Sequence, residues 1–183
     1  MARKQVISKE GLIDGGFRLI EEQGIEALSA RNLARFCGCS TQPIFRIYDN
    51  MDDLKKDLME KCFDFFSQYV AGFTSVSQKP FVDLGMSYIS FARKYPNLFA
   101  VIFVLENGTD RSMYDLINGG KHGFVTKEYR KVSKLSSDDF SLLFMKMWIF
   151  IHGAACMILK DDFDMTDSDL VNLLEETITA FYE

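Results

Sequence analysis

Hydrophobic positions recur three and four residues apart along the chain, and no stretch alternates with a period of two. The pattern predicts helices throughout. Leu12, Ile13, Phe17, Leu19 and Ile20 form the apolar stripe of a first helix over about Lys9–Gln23. Ser8 is placed as its N-cap, Ile7 and Leu12 as a hydrophobic staple, and Gly24 as the left-handed residue that ends it. A second helix opens at Ser29 and stops before Gly38; a third runs from Ser40 to about Tyr48, with Pro43 in its tolerant first turn. Asp49 and Asn50 cap a fourth helix, whose apolar positions are Leu54, Leu58, Cys62, Phe65, Phe66 and Tyr69. Pro80 and Pro96 start a fifth and a sixth, the sixth reaching about Leu105. A seventh is expected within Ser112–Leu135, an eighth, apolar on nearly every side, over about Asp138–Leu159, and a ninth over about Ser168–Tyr182. This reads as an all-α chain of about nine helices, with a small N-terminal unit over 1–50 and a larger helical bundle over 51–183.

Composition narrows the class. With 48% hydrophobic and 26% charged residues, the 183-residue chain can bury a full core and is neither disordered nor membrane-spanning in composition. The first ten residues lack the apolar stretch of a secretory signal. The longest unbroken apolar run, Leu98–Leu105, is far below the roughly 20 residues of a membrane helix. Cys37, Cys39, Cys62 and Cys156 show no metal-ligand spacing, and they read as reduced thiols of a cytoplasmic protein. The net charge of −5 argues against a generic nucleic-acid coat. It is unevenly spread: residues 1–48 hold seven basic and five acidic side chains, net +2, which leaves −7 for the remainder.

The Ser29–Tyr48 segment carries the sharpest signal. Two short helices crossing at about 90–120° need a small residue where they meet and a turn residue tolerant of positive φ. Ala34 and Gly38 meet those needs, with Leu33, Cys37, Cys39, Ile44 and Ile47 as the inner contacts. A plain helical corner would need similar packing. The outward residues favour a helix-turn-helix DNA reader. Thr41, Gln42 and Arg46 lie where a recognition helix meets base edges, Gln suiting adenine and Arg guanine. Ser29 and Arg31 open the second helix beside free backbone N–H groups, a setting that suits a phosphate. Arg3 and Lys4 precede the first helix and could follow the DNA backbone. Pro43, Phe45, Tyr48 and Lys55 complete the expected DNA-binding set.

The run from Leu19 to Ala34, LIEEQGIEALSARNLA, then Gly38-Cys39-Ser40, Ile44-Phe45-Arg46-Ile47-Tyr48 and Leu54, resembles the N-terminal domain of the TetR family of regulators. The resemblance covers about residues 8–62. It implies three DNA-binding helices followed by a helical ligand-binding and dimerisation body. This chain departs from the family pattern twice. Phe45 stands where a phosphate-contacting tyrosine is usual; it can still pack on the sugar-phosphate backbone. Met51 stands where a lysine is usual, so that contact is lost or passes to Lys55 or Lys56. Fewer ionic contacts imply a flatter salt dependence of DNA affinity.

The body is rich in aromatic residues and methionines. Each alone fits a core; together they suit a pocket for an apolar, aromatic or cationic ligand, with Phe66, Tyr88, Phe91, Phe99, Phe103, Trp148 and His152 as its candidates. Trp148 and His152, four apart, share one helix face, and the Trp-x-x-x-His-Gly pattern is similar to one in the family's eighth helix. In its apolar setting His152 reads first as a satisfied core histidine and second as a ligand contact. Ile151, Ala155 and Ile158 of the eighth helix, with Leu170, Leu174, Ile178 and Phe181 of the ninth, are the expected isologous dimer face.

No metal is expected, since His122 is the only other histidine and no carboxylate cluster has ligand spacing. No cofactor or enzymatic activity is expected either: GxSxG, P-loop and HExxH motifs are all missing. The sequence therefore predicts a ligand-responsive regulator, a repressor, that binds a palindromic operator as a homodimer. Ligand binding would shift the fourth helix and so change the spacing of the two recognition helices. The alternative is a helical ligand-binding or adaptor protein with weak or lost DNA binding.

Overall fold

The computed structural model describes residues 7–105 and 136–182, the side chains of Ser137, Phe181 and Tyr182 excepted. Among them all regular structure is helical, as expected. The order is α1 (Lys9–Gln23), a 3-10 turn (Ile25–Ala27), α2 (Ala30–Phe36), α3 (Gln42–Ile47), α4 (Met51–Ala71), α5 (Pro80–Lys94), α6 (Pro96–Phe99) continued by a π-helical turn (Ala100–Val104), α7 (Ser137–Leu159) and α8 (Asp167–Tyr182). The eighth and ninth helices of the sequence reading are thus α7 and α8. The expected seventh, Ser112–Leu135, lies outside the described residues.

Local chemistry accounts for the ends. Ser8 Oγ accepts from the Gly11 N–H at 3.1 Å and Ser29 Oγ from the Asn32 N–H at 3.2 Å. Each satisfies one orphan donor of a helix N-terminus. Of the two residues expected to cap α4, Asn50 does so, its Oδ1 accepting from the N–H groups of Asp52 (2.8 Å) and Asp53 (3.0 Å). α8 opens with a reciprocal box: Thr166 Oγ1 accepts from the Asp169 N–H at 3.2 Å, and Asp169 Oδ2 from the Thr166 N–H at 3.1 Å.

By its contacts the chain divides into two compact units, 1–65 with 95–107 and 66–94 with 108–183. Residues 51–65 of α4 and the α6 segment group with the N-terminal helices. In the first unit, α1 packs against α2 and α6. Gly15 and Gly16 make α1 thin enough for this unit to close. A methyl at Gly15 would collide with Cys37 Sγ, and one at Gly16 would lie 2.8 Å from a Leu58 methyl. Phe65 joins Phe17 (5.1 Å between centroids) to Tyr95 (5.0 Å), both edge-on.

In the second unit α5 packs mainly on α7, and α8 covers both. Gly85 is where the three converge: a Cβ there would meet methyls of Ile151 and Leu174, each 3.1 Å away. The α7 stretch Asp138–Leu159 is long and apolar enough to cross a bilayer by length and composition alone. Core helices of soluble proteins pass the same test, and Phe140, Phe144, Met147, Ile151 and Ala155 of α7 are buried.

Candidate functional site

The turn between α2 and α3 sets the presentation of α3. Gly38 takes φ 65°, the left-handed region, and the Cys39 N–H bonds Ala34 O at 2.9 Å while the Gly38 N–H bonds Arg35 O at 3.1 Å. This pair of bonds is a Schellman motif, which satisfies the last carbonyls of α2. It also explains why α3 starts at Gln42 and not at Ser40: the backbone of residues 38 and 39 is committed to closing α2. Ala34 is buried where the helices meet, beside Leu33 and Ile44.

The outward face of this motif is polar and open. Ser29, Arg31, Gln42 and Arg46 are exposed, Thr41 and Pro43 half-buried, and Phe45 is 53% exposed. Among the described residues no hydrogen bond or ion pair holds the side chains of Arg31, Gln42 or Arg46, so they can meet a ligand without first breaking a contact. Ser29 Oγ is engaged as a cap, which leaves its hydroxyl hydrogen to donate. Arg3 and Lys4 lie outside the described residues.

Two members of the expected DNA-binding set are placed differently. Tyr48 is buried, and its hydroxyl donates to Asp57 Oδ2 at 2.8 Å. Lys9 Nζ sits 2.7 Å from the same oxygen and 5.3 Å from the Tyr48 ring centroid. The three side chains tie α1, the end of α3 and α4 together, so Tyr48 is a structural residue and is corrected as a DNA contact. The hydrogen bond from Lys9 outweighs burial and, helped by the bond from Tyr48, holds the Asp57 carboxyl below its usual range, while burial and Asp57 push the Tyr48 phenol up. Lys55 is paired with Asp52 at 3.1 Å and Lys56 with Asp53 at 3.2 Å. These exposed pairs are weak and exchangeable, so both lysines remain able to turn to a phosphate. The Lys9–Asp57–Tyr48 cluster itself had no sequence signal, because its members are 9 and 39 positions from Tyr48 or scattered across three helices.

The aromatic candidates fall into two groups. In the second unit Phe66 meets Phe91 (5.0 Å) and Tyr88 (6.0 Å), Tyr88 meets Trp148 (5.0 Å), and Trp148 stacks on His152 at 5.6 Å with 9° between planes. Phe66, Tyr88, Phe91 and Trp148 are buried. Phe99 and Phe103 belong to the first unit, where Phe103 packs on Phe63 and Phe99. A cavity of about 420 Å³ opens elsewhere in the second unit, between the outer side of α5, the chain after α4 and the start of α8. Phe73, Met86, Ile89 and Val171 give it apolar walls; Ser90, Ser168 and the Arg93–Asp167 ion pair give it a polar rim. None of the seven expected pocket residues lines it. Ser90 and Arg93 alternate with Ile89 along α5, so the sequence showed no distinct polar cluster there.

No family model matches the chain, and no curated protein does. Solved structures do. A TetR-like transcriptional regulator from Rhodococcus sp. RHA1 is 13% identical, with 93% of this chain and 92% of that one covered at a TM-score of 0.57. The multidrug binding protein EbrR, complexed with imidazole, is 14% identical, with 92% and 88% covered at 0.57. A TetR-family regulator from Haemophilus influenzae RD is 19% identical, with 94% and 97% covered at 0.54. The fold is TetR-like. At these identities the likeness is one of architecture, and it spans nearly the whole length of each chain.

Within this TetR-like fold the expected dimer face needs correction. Ile151, Ala155, Leu170, Leu174 and Ile178 are buried within their own chain, and Ile158 is half-buried; the Phe181 side chain lies outside what is described. The apolar stripe of α8 faces α5 and α7, and its outer side presents Asn172, Glu176 and Thr179. The exposed apolar surface is instead on α7, where Leu142, Ile149 and Met157 are 58%, 64% and 46% exposed. Gly153 lies between the last two with open space around it. An all-apolar helix conceals in its sequence which side its own chain covers.

Proposed function

We propose that this chain is a ligand-responsive transcriptional regulator, a cytoplasmic repressor, that binds a palindromic operator as a homodimer. The observation that carries this reading is the unengaged set Gln42, Phe45 and Arg46 on α3, offered by the Schellman turn beside Ser29 and Arg31. Gln42 and Arg46 read base edges, Phe45 packs against sugar, phosphate or a thymine methyl, and Ser29 with Arg31 grips phosphate. The second copy docks on the exposed α7 stripe. A glycine inside a helix costs roughly 0.5–1 kcal/mol relative to alanine, and among the described residues nothing packs close enough to require Gly153; a neighbouring helix approaching closely would. The second unit receives the effector, a small apolar or aromatic molecule. The cavity beside α5 described above is within the size range of small-molecule sites, about 300–1,000 Å³. Helix α4 runs from the DNA-binding unit into the second unit and is the route of coupling, for which about 1–3 kcal/mol is typical.

One observation favours a second reading, a helical ligand-binding or adaptor protein with weak DNA binding. Phe45 lacks a hydroxyl, and the lysines at the head of α4 already face aspartates. Binding to the DNA upstream of the chain's own gene, measured by gel shift, separates the two. The regulator reading expects a shifted complex that Arg46→Ala abolishes while the helical circular dichroism is unchanged. No complex, or one indifferent to Arg46, favours the adaptor.

A further inference from the structure

The second unit holds a group of reactive side chains that DNA reading leaves unused. Trp148, His152 and Cys156 follow one another at intervals of four residues on α7, so they form one strip of its surface. His152 Nδ1 is 2.9 Å from Tyr88 Oη of α5, and His152 Nε2 is 3.5 Å from Cys156 Sγ. The Trp148 indole lies parallel on the imidazole. Tyr88 and Trp148 are buried, and His152 and Cys156 are half-buried. The ring is held by this stacking and at Nδ1, and its Nε2 faces a half-buried thiol. Burial lowers the affinity of His152 for a proton, which keeps the imidazole neutral near pH 7 and able to accept one.

We propose that Cys156 is a covalent capture site for soft electrophiles of the α,β-unsaturated carbonyl class, with His152 as its base and Tyr88 as the residue that positions the imidazole. With its proton on Nδ1 and donated to Tyr88 Oη, His152 presents the Nε2 lone pair to the thiol. The Cys156 S–H proton passes to Nε2 as a sulfur lone pair forms the bond to the β-carbon. The C=C π pair moves to the α-carbon as an enolate, which then takes the proton back from Nε2. The sum is addition of S–H across the double bond, with no oxidant or further reactant. The other described cysteines lack this arrangement. Cys62 is fully buried, burial pushes the Cys37 thiol up, and no imidazole contacts Cys39 among the described residues.

The test is alkylation of the full-length protein by limiting N-ethylmaleimide at pH 7, followed by peptide mass spectrometry. Cys156 is expected to react at least about tenfold faster than Cys39, which is also half-buried, and His152→Gln to remove most of that advantage, general-base assistance being typically worth about 10²-fold or more. The rates at Cys37 and Cys39 stay unchanged in that variant, and Cys62 stays unlabelled, which verifies its fold. Tyr88→Phe slows Cys156 by a smaller factor. A Cys156 no faster than Cys39, both in the native protein and in Ile149→Asp, where the neighbouring α7 face is opened, overturns the proposal. So does a Cys156 rate indifferent to His152. The readout involves no DNA, so its failure is separate from a failure of the regulator reading.

Discussion

Tyr48→Phe deletes one hydroxyl at the junction of α3 and α4 and leaves the buried ring in place. In the native protein that hydroxyl donates to the Asp57 carboxylate at 2.8 Å. Hydrogen bonds to charged groups contribute about 1.5–3 kcal/mol net. The value here falls at or just below the low end, because the Asp57 side chain is 33% exposed and keeps Lys9 Nζ at 2.7 Å, so water and an ammonium group remain to satisfy it. A loss of about 1–1.5 kcal/mol corresponds to a five- to tenfold rise in local opening. Hydrogen exchange of peptides from α3 and the first turns of α4, followed at fixed pH, measures that rise directly. DNA affinity per folded molecule stays within about twofold, because the hydroxyl is turned into the protein. Exchange within about 1.5-fold of the native rate, together with weakened DNA binding, would refute the assignment and return Tyr48 to the DNA surface. The pH dependence has a definite sign. Asp57 has a folded-state affinity for protons below its unfolded one, so its contribution is present above the ordinary carboxylate range and is lost as pH falls through the lowered folded value. Asp57→Asn removes that contribution, and the stability gap between variant and native protein closes on the acid side.

Ile149→Asp places a charge in the exposed α7 stripe; sedimentation velocity should show a folded monomer in place of a dimer. Leu174→Ala cuts a buried contact at Gly85 and should cost about 2–5 kcal/mol in urea unfolding; the reverse pattern, with Leu174 controlling assembly and Ile149 stability, would restore the original interface. Replacing thymine by uracil at operator positions under α3 deletes only methyl groups. If Phe45 contacts one, affinity falls for the native protein and not for Phe45→Ala; equal losses in both would place Phe45 on the backbone alone.

Much of the first unit was legible in the sequence because its signals are local. Ser8, Ser29 and Asn50 announce helix starts through a side-chain oxygen, Gly24 and Gly38 announce ends through positive φ, and each does so in the structure. The second unit was less legible because its decisive contacts are tertiary. Gly85 as the meeting point of three helices has no local signature. Neither has the inward rotation of α8, which turned Leu170, Leu174 and Ile178 from a supposed interface into core. Helical periodicity identifies an apolar face and is silent about whether its own chain or a second copy covers it. The same limit applies to Tyr48, which is aromatic and sits at the end of α3, yet a carboxylate nine residues away claims its hydroxyl.

The central claim is that two α3 helices read two half-sites of one duplex. Selection of bound sequences from a randomised duplex library, with purified full-length protein at near-physiological salt, tests it most directly. The expected result is an inverted repeat whose half-site centres lie about one helical turn, 10–10.5 base pairs, or a multiple of it apart, and its loss with Arg46→Ala. Recovery of no enriched sequence, or of an unrepeated one that Arg46→Ala also selects, would contradict it.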